Sequence, residues 1–382
     1  MTDYSQRALL PEGLHDLLPP QAAFERTVVT ALLDGFEAFG YEQVSAPLLE
    51  FEESLFAGPG KARAPVTFRL LDPASHRMMG LRADMTPQIA RIATTRLAGE
   101  PRPLRLCYAG PVLRVKGGQS RPERAFYQAG VELIGPTGPN ADAEVIALAA
   151  KCLNRLGVSG LSVDLTVPRL ALALCRELEL DDEQTAGARA ALATRDPAAL
   201  ARISDAPALQ GLLAAAGPAA AALAALEALA LSGKAAELVD NLARVTACLN
   251  ALIPDLTLTI DPGEFAGFDY KTGVGFALFA QGVRGELGRG GRYEIGGANG
   301  DGEPATGFSV YLDSLLRAVP PPKAARRLYL PAGTPADLAA GLRAEGWRTV
   351  QGLETVAEPR AEARRLGCGY VLVGDTPVAL DP

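Results

Sequence analysis

Apolar positions recur at helical spacing in some stretches of the chain and alternate with polar positions in others. Residues 19–41 begin at a proline pair and end near a glycine, which predicts a helix. Residues 141–157 predict a second, amphipathic helix. Between them, residues 103–115 and 124–135 have the short apolar runs that are typical of strands. The pattern therefore predicts a pair of neighbouring strands with long helices packed against them.

Three local features refine these predictions. A helix is predicted from about Pro87, and Thr86 is expected to cap its N-terminus. Residues 42–51 predict one short strand that contains Pro47, which suits an edge or a bulge because proline cannot donate to a ladder. The glycine-rich residues 288–297 lack the lysine of a phosphate-binding loop, and we expect a turn that lets strands approach closely.

Changes of composition divide the chain. Residues 169–251 are dominated by alanine and leucine and predict an insert of short helices, which we interpret as a packed lid or spacer. Residues 1–168 and 252–319 then form one α+β core of antiparallel strands with flanking helices. A proline-rich linker precedes residues 327–382, whose alternating pattern predicts a small parallel α/β module.

Composition and charge narrow the possible functions. A length of 382 residues suits two or three domains, and a net charge of −7 argues against a nucleic-acid surface that covers the chain. With only two histidines, a histidine-based metal site or a Ser-His-Asp triad is nearly excluded, and we predict no cofactor. Five scattered cysteines suit a reducing compartment. Since no secretion signal or membrane-spanning segment is evident, we expect a cytoplasmic protein with no membrane contact.

One set of polar residues could bind a free amino acid. Arg114 ends a predicted strand, and its guanidinium could grip a carboxylate. Gln128 and Glu132 are four apart on the next strand and face the same side, while Asp84 and Thr86 would share a face if extended. Together they offer a cation for a carboxylate and acids for an ammonium. Their spacing is equally consistent with a salt-bridged sheet face.

A cluster of cations adjoins this set. Lys116, Arg121 and Arg124 lie in the loop after Arg114, and Arg292 lies in the later glycine-rich segment. We interpret these residues as candidate contacts for an anionic effector or for a partner chain. No sequence feature chooses between the two.

Several motifs occur in a fixed order: "GLHDLLPP", "FGYEQVSAPLLEF", "LRADMTPQIAR", "YAGPVLR", "RAFYQAGVELIG", "GFDYKTGVGFAL", "GRGGRY" and "ATGFSVYLDSLL". Over roughly residues 10–320 this succession resembles the class II aminoacyl-tRNA synthetase core, and within it the histidyl-tRNA synthetase family. The resemblance implies an antiparallel sheet flanked by helices, a helical insert and a dimer built on the first motif. It also implies histidine as the ligand of the amino-acid site, bound by Asp84, Thr86, Arg114, Gln128, Glu132 and Tyr270.

The departures from the family pattern fall mainly on the nucleotide side. Ala266 replaces an arginine expected to stabilise charge at the α-phosphate, Lys116 replaces a glutamate, and Ser314 replaces an arginine that packs on the nucleotide. Losing one such charge stabiliser typically costs about 10²–10³ in rate. On the amino-acid side, Lys271 replaces a tyrosine that would contact the imidazole, and Tyr270 could substitute for it. We therefore predict that synthetase chemistry is lost while an amino-acid pocket persists.

This pattern resembles the regulatory subunits of ATP phosphoribosyltransferase, which are synthetase-like chains without synthetase activity. The resemblance implies a short catalytic partner subunit, a role in the first step of histidine biosynthesis, feedback by histidine, and a homodimer within a hetero-oligomer. Residues 327–382 look like a shortened anticodon-binding domain for which no tRNA contact is expected. The alternatives are an active histidyl-tRNA synthetase and another free-standing synthetase-like enzyme that uses a different amino acid.

Overall fold

The computed structural model forms two compact units, Met1–Pro320 and Pro321–Pro382. The structure describes residues 9–118, 121–203, 207–264, 270–296, 302–322 and 326–380. Within these ranges, every helix is either too short or too polar to cross a membrane.

Strands of the first unit form two sheets. They are β1 (Glu42–Gln43), β2 (Leu49–Phe51), β3 (Arg69–Leu71), β4 (Met78–Leu81), β5 (Leu104–Leu113), β6 (Ala125–Ile134), β7 (Ser162–Thr166), β8 (Gly217–Pro218), β9 (Thr257–Ile260), β10 (Lys271–Phe279), β11 (Gly288–Ile295) and β12 (Glu303–Tyr311). The main sheet has the order β1-β5-β6-β12-β11-β10-β7-β9-β8, and the small sheet has the order β2-β4-β3. The ladder from β5 to β7 is antiparallel, while β1 pairs with β5 and β7 with β9 in parallel.

Helices surround the main sheet. They are α1 (Gln21–Glu37), α2 (Glu52–Leu55), α3 (Thr86–Thr95), α4 (Pro139–Arg155), α5 (Leu170–Glu177), α6 (Asp182–Ala193), α7 (Pro197–Ile203), α8 (Pro207–Ala214), α9 (Ala219–Ala228), α10 (Gly233–Leu252) and α11 (Leu312–Ala318). A 3₁₀ helix covers Gly58–Val66. The α+β class predicted from the sequence is confirmed. Helices α5 to α10 occupy the alanine-rich stretch, and the last of them packs against α4.

The alternation of side chains on β6 explains where the site lies. Ala129, Val131 and Leu133 enter the large core beneath α1 and α4. Phe126 and Ile134 enter a smaller core, which also holds residues of α3. Because a strand has a period of two, Gln128 and Glu132 lie on the same face as this smaller core. The polar site is therefore built between the sheet and α3.

Two local expectations need correction. Residues 42–51 form two short strands, and Pro47 lies in the break between β1 and β2. The glycine-rich segment is the central strand β11 and not a turn, with β10 on one side and β12 on the other. The expected close approach is correct, because a Cβ added at Gly291 would overlap backbone atoms of β10. Gly291 also has a φ of +136°, which favours glycine.

The second unit has its own sheet. Its elements are β13 (Arg327–Leu330), α12 (Ala336–Ala344), β14 (Arg348–Gln351), α13 (Pro359–Arg365), β15 (Tyr370–Val373) and β16 (Thr376–Ala379). The sheet order is β14-β13-β15-β16. Strands β13, β14 and β15 pair in parallel as predicted, whereas β16 adds an antiparallel edge that the sequence pattern did not indicate.

Candidate functional site

One small polar cavity lies where β6, β10, β11 and β12 face the start of α3 and the 3₁₀ helix. It is lined by Arg63, Asp84, Thr86, Glu132, Tyr270, Lys271, Arg289, Gly307, Phe308, Ser309 and Tyr311. Its volume of about 10 Å³ is close to that needed for a single water molecule. The structure thus brings Asp84, Thr86, Glu132 and Tyr270 to one point, and these are four of the six residues for which the resemblance implies histidine binding.

Gln128 joins this set through hydrogen bonds. Its Nε2 donates to Asp84 Oδ1 at 3.0 Å and to Ser309 Oγ at 2.6 Å, while its Oε1 accepts from the Met85 amide at 3.0 Å. Since both ends of the amide have partners, the side chain is fixed in one orientation. Gln128 therefore holds Asp84 in position from the neighbouring strand.

Thr86 differs from its predicted role. Helix α3 begins at Thr86, and Met85 is the capping position, whose own side chain makes no capping hydrogen bond. The Thr86 amide instead donates to Asp84 Oδ1 at 3.2 Å, and Thr86 Oγ1 lies 3.3 Å from Tyr108 Oη. The prediction of Thr86 as N-cap is wrong because Asp84, two residues earlier, accepts the hydrogen bond from the first turn. The positive end of the helix dipole also favours this carboxylate.

Arg63 is a site residue that no sequence pattern indicates. Its Nε lies 3.0 Å and its Nη2 2.9 Å from Asp84 Oδ2. Although burial raises the pKa of Asp84, the Arg63 charge and the Gln128 hydrogen bond outweigh burial, so that the pKa falls below its usual range. Asp84 in turn raises the pKa of Arg63. This acid is therefore already paired with a cation from the same chain.

Glu132 is the second acid of the cavity and is buried. Tyr293 donates its hydroxyl to Glu132 Oε2 at 2.9 Å, and Tyr108 donates to Oε1 at 3.4 Å. Burial raises the pKa of Glu132, while the nearby charge of Lys271 and the hydroxyl of Tyr293 oppose the rise. The carboxylate therefore depends on cations around it to stay ionised.

Lys271 is the cation that faces Glu132 across the cavity. It begins β10, directly opposite Tyr293 on β11, and it is only 4% exposed. Its Nζ donates to the Gly291 carbonyl at 2.8 Å and lies 4.9 Å and 5.0 Å from the ring centres of Tyr270 and Tyr293. Burial lowers the pKa of Lys271, while the charge of Glu132 raises it.

Arg114 and Arg121 lie beside the cavity on aromatic rings. The Arg114 guanidinium is 4.9 Å from the Phe126 ring centre, and that of Arg121 is 3.7 Å from the Tyr311 ring centre. Burial lowers the pKa of Arg114. Such cation–π contacts fix the guanidinium planes, and Arg114 Nε also donates to the Ala83 carbonyl at 3.4 Å. Tyr311 lines the cavity, whereas Arg114 and Arg121 lie outside its lining.

The remaining predicted cations lie elsewhere. Lys116 is exposed. Arg124 donates to the carbonyls of Arg114 at 3.2 Å and Glu12 at 2.9 Å, which makes it a structural link. Arg292 does not face the cavity: it pairs with Asp142, with Nε at 3.1 Å from Oδ2 and Nη2 at 2.9 Å from Oδ1.

Arg292 also donates to the carbonyl of Pro136 at 2.8 Å. Its donors are therefore engaged near the start of α4, which argues against its predicted role as an effector or partner contact. Arg289, three residues earlier, is the arginine of β11 that lines the cavity, and its Nε donates to Glu286 Oε2 at 2.8 Å.

On the nucleotide side, Ser314 is fully buried within α11. Its hydroxyl accepts a hydrogen bond from Arg317 Nη2 at 3.2 Å. The family pattern has an arginine at this position, and its guanidinium packs on the nucleotide. Serine carries no guanidinium, and this serine is buried within the helix. Ala266 lies outside the described residues, as do its neighbours up to Asp269.

The arrangement places charges of both signs around one small cavity. Cations of Arg63, Arg114, Arg289 and Lys271 surround the acids Asp84 and Glu132, and hydroxyls and amides complete the hydrogen bonds. These groups can bind a small zwitterion or anion by ion pairing. Each acid already has a neighbouring cation, so a ligand ammonium must compete for it.

Comparisons with known proteins agree on one family. The sequence model of histidyl-tRNA synthetase matches residues 13–315. An ATP phosphoribosyltransferase regulatory subunit of Paramagnetospirillum magneticum is 53% identical, with 100% of both chains covered. One from Rhodospirillum centenum is 55% identical and covers 96% of this chain and 95% of its own.

A solved structure gives the same result. The crystal structure of an ATP phosphoribosyltransferase regulatory subunit/histidyl-tRNA synthetase from Bacillus halodurans superposes with a TM-score of 0.81 at 25% identity, covering 94% of this chain and 96% of that chain. The chain thus shares both sequence and fold with these proteins over nearly its whole length. It belongs to the family of ATP phosphoribosyltransferase regulatory subunits, within the wider group of histidyl-tRNA synthetase-like proteins.

Proposed function

We propose that this chain is the non-catalytic regulatory subunit of a cytoplasmic ATP phosphoribosyltransferase, and that it binds a separate short catalytic subunit. The observation that carries the proposal is the end-to-end similarity to relatives that bear this name, at 53% and 55% identity. In this role the chain takes part in the first step of histidine biosynthesis. We further propose that it acts as a homodimer within a hetero-oligomer.

The nucleotide side of the site supports a non-catalytic role. Ser314 is buried where a synthetase needs an arginine on the nucleotide, and Lys116 is exposed and cationic where a synthetase has a glutamate. Both changes remove groups that would hold ATP in a reactive pose. The amino-acid side, by contrast, keeps Asp84, Gln128 and Glu132 in one hydrogen-bonded region.

We propose histidine as the effector of this pocket. Arg114 would hold its carboxylate, while Asp84, Thr86, Gln128, Glu132 and Tyr270 would hold its ammonium and imidazole. Binding can inhibit the partner only by the difference in affinity between two arrangements of the assembly, typically about 1–3 kcal/mol. Since the cavity holds about 10 Å³, histidine must also move side chains to enter.

Co-expression with the short catalytic subunit from the same organism tests the proposal. We expect the two chains to co-purify, and phosphoribosyl transfer by the complex to fall as histidine is added. Gln128→Ala should weaken the response to histidine without preventing assembly, and Gln281→Ala at an exposed position is the matched control. Failure of the chains to associate contradicts the proposed function, whereas association with no histidine response contradicts only the effector.

An active histidyl-tRNA synthetase is the alternative, and the histidyl-tRNA synthetase sequence model is what favours it. Histidine-dependent exchange of pyrophosphate into ATP separates the two functions, because it detects adenylate formation directly. We expect no exchange above background. A useful rate of exchange would establish the synthetase instead.

A further inference from the structure

Lys271 occupies an unusual position for a charged side chain. It is buried, and its Nζ donates a hydrogen bond of 2.8 Å to the backbone carbonyl of Gly291. Its ring contacts with Tyr270 and Tyr293 fix the ammonium on the wall of the cavity. A buried ammonium is costly unless an acid compensates its charge.

Glu132 is the acid that faces Lys271 from β6. Tyr293 connects the two groups, since its hydroxyl donates to Glu132 Oε2 at 2.9 Å while its ring lies under Lys271 Nζ. The pairing of Lys271 with Tyr293 across β10 and β11 sets this geometry. Asp84, which also lines the cavity, is neutralised by Arg63. Both acids that could attract a ligand cation are thus compensated by the chain itself.

We propose that Lys271 is an internal competitor for the ligand: its ammonium balances Glu132, and a cationic ligand group can approach Glu132 only by displacing it. This inference rests on the proposed function, because it takes histidine as the ligand. Lys271 is then the residue that sets how weakly the pocket binds histidine. A regulatory site needs an affinity near the working concentration of its effector, and an internal competitor lowers affinity without removing the contacts that give specificity.

The size of the cavity agrees with competition. About 10 Å³ leaves no room for an imidazole while every lining side chain keeps its place, and in this proposal the Lys271 ammonium is the group that gives way. Like charges placed together in a buried site also repel strongly. Removing the lysine charge should therefore improve binding, although the side chain lies within the site. A lysine that instead contacted the ligand directly would have the opposite effect when removed.

The first experiment measures the internal pair in the full-length chain without ligand. Thermal unfolding is compared for wild type, Glu132→Gln, Lys271→Met and the double variant. We expect Glu132→Gln alone to lower Tm by about 5 °C because it leaves a buried ammonium uncompensated, and we expect Lys271→Met to restore most of the loss in the double variant. If the Tm change of the double variant equals the sum of the changes in the two single variants, the proposal is overturned.

The second experiment measures histidine affinity by calorimetry on wild type, Lys271→Met and Lys271→Tyr. We expect both variants to bind about tenfold or more tightly than wild type, and Lys234→Met at an exposed position should bind as wild type does. Equal or weaker binding by Lys271→Met overturns the proposal. The proposed function is contradicted by a different result, which is that the catalytic subunit does not co-purify with this chain. Failure of the proposed function and failure of this inference can therefore be distinguished.

Discussion

At the residue scale, the first unit compensates its buried charges internally. Asp84 is paired with Arg63, Glu132 faces Lys271, and Asp142 is paired with Arg292. A buried charge without a partner costs several kcal/mol, so each acid constrains the cation beside it. The buried charges therefore fall into two groups: those that line the cavity and can contact a ligand, and those that only stabilise the fold.

Arg292 belongs to the second group, and substitution can show this. Its side chain is 10% exposed and that of Asp142 is 2% exposed. Because Arg292→Met leaves the Asp142 carboxylate buried without its partner, we expect the free energy of unfolding to fall by about 3–5 kcal/mol. Urea unfolding measures the loss, and Arg284→Met at an exposed position should cost little. An unchanged stability for Arg292→Met would contradict the structural role.

Asp84 predicts a dependence on pH. Its folded pKa lies below the usual value of 3.8, so its ion pair stabilises the protein above that value, and the stabilisation is lost as pH falls through the folded pKa. We expect Asp84→Asn to destabilise by about 1–3 kcal/mol near neutral pH and by less at about pH 3. Urea unfolding at both pH values checks this, with Asp255→Asn as an exposed control. If Asp84→Asn destabilises the protein as much at about pH 3 as near neutral pH, the Asp84 ion pair is not the cause of the pH dependence.

Some site residues could be predicted because their positions follow from the alternation of side chains along one strand. Others were missed because they reach the site through contacts between segments far apart in the sequence. Gln128 and Glu132 follow from the alternation of one strand. Arg63 reaches Asp84 from a separate 3₁₀ helix, a contact that no periodicity contains. Arg292 was named as a candidate contact from the sequence, whereas Arg289 was not considered. Because the segment is strand β11, its side chains alternate between two faces of the sheet. Arg289 and Tyr293 lie on one face, and Arg292 lies on the other.

At the scale of elements, β11 shows how pairing overrides local preference. A run of glycines favours a turn when the segment is considered alone. In the sheet, β11 lies between β10 and β12, and its glycines permit the strands and the Phe276 ring to approach closely. The context of neighbouring strands, which a single sequence does not reveal, decides the structure.

Gly290 offers a test of this close packing. A Cβ at Gly290 would overlap the Phe276 ring and the Gly307 carbonyl oxygen, while a Cβ at Gly99 would meet nothing within 4 Å. Because overpacking strains a filled core, we expect Gly290→Ala to lower the free energy of unfolding by about 1–3 kcal/mol, and Gly99→Ala to change it little. Chemical denaturation of both variants provides the measurement. Equal effects at the two glycines would contradict the packing argument.

At the scale of the whole molecule, each unit has its own buried core. The first is built around the main sheet, and the second around Leu328, Leu330 and Leu372 on one side of its small sheet and Tyr329 and Val371 on the other. Relatives named as regulatory subunits cover both units at full length. The sequence similarity to the Paramagnetospirillum magneticum relative therefore extends through the second unit as well as the first.

Separate cores predict separate unfolding, and the chain carries a probe for it. Trp347 is the only tryptophan in the sequence, and its ring lies 4.8 Å from that of Tyr370 in the second unit. We expect tryptophan fluorescence to follow unfolding of the second unit, while far-ultraviolet circular dichroism is dominated by the helices of the first. In a chain that ends at Pro320, we expect the free energy of unfolding measured by circular dichroism to match that of the first unit in the full-length chain to within about 0.5 kcal/mol, because the core of the first unit is intact. Coincident transitions in the full-length chain, together with a marked loss of stability on truncation, would show instead that the two units fold as one.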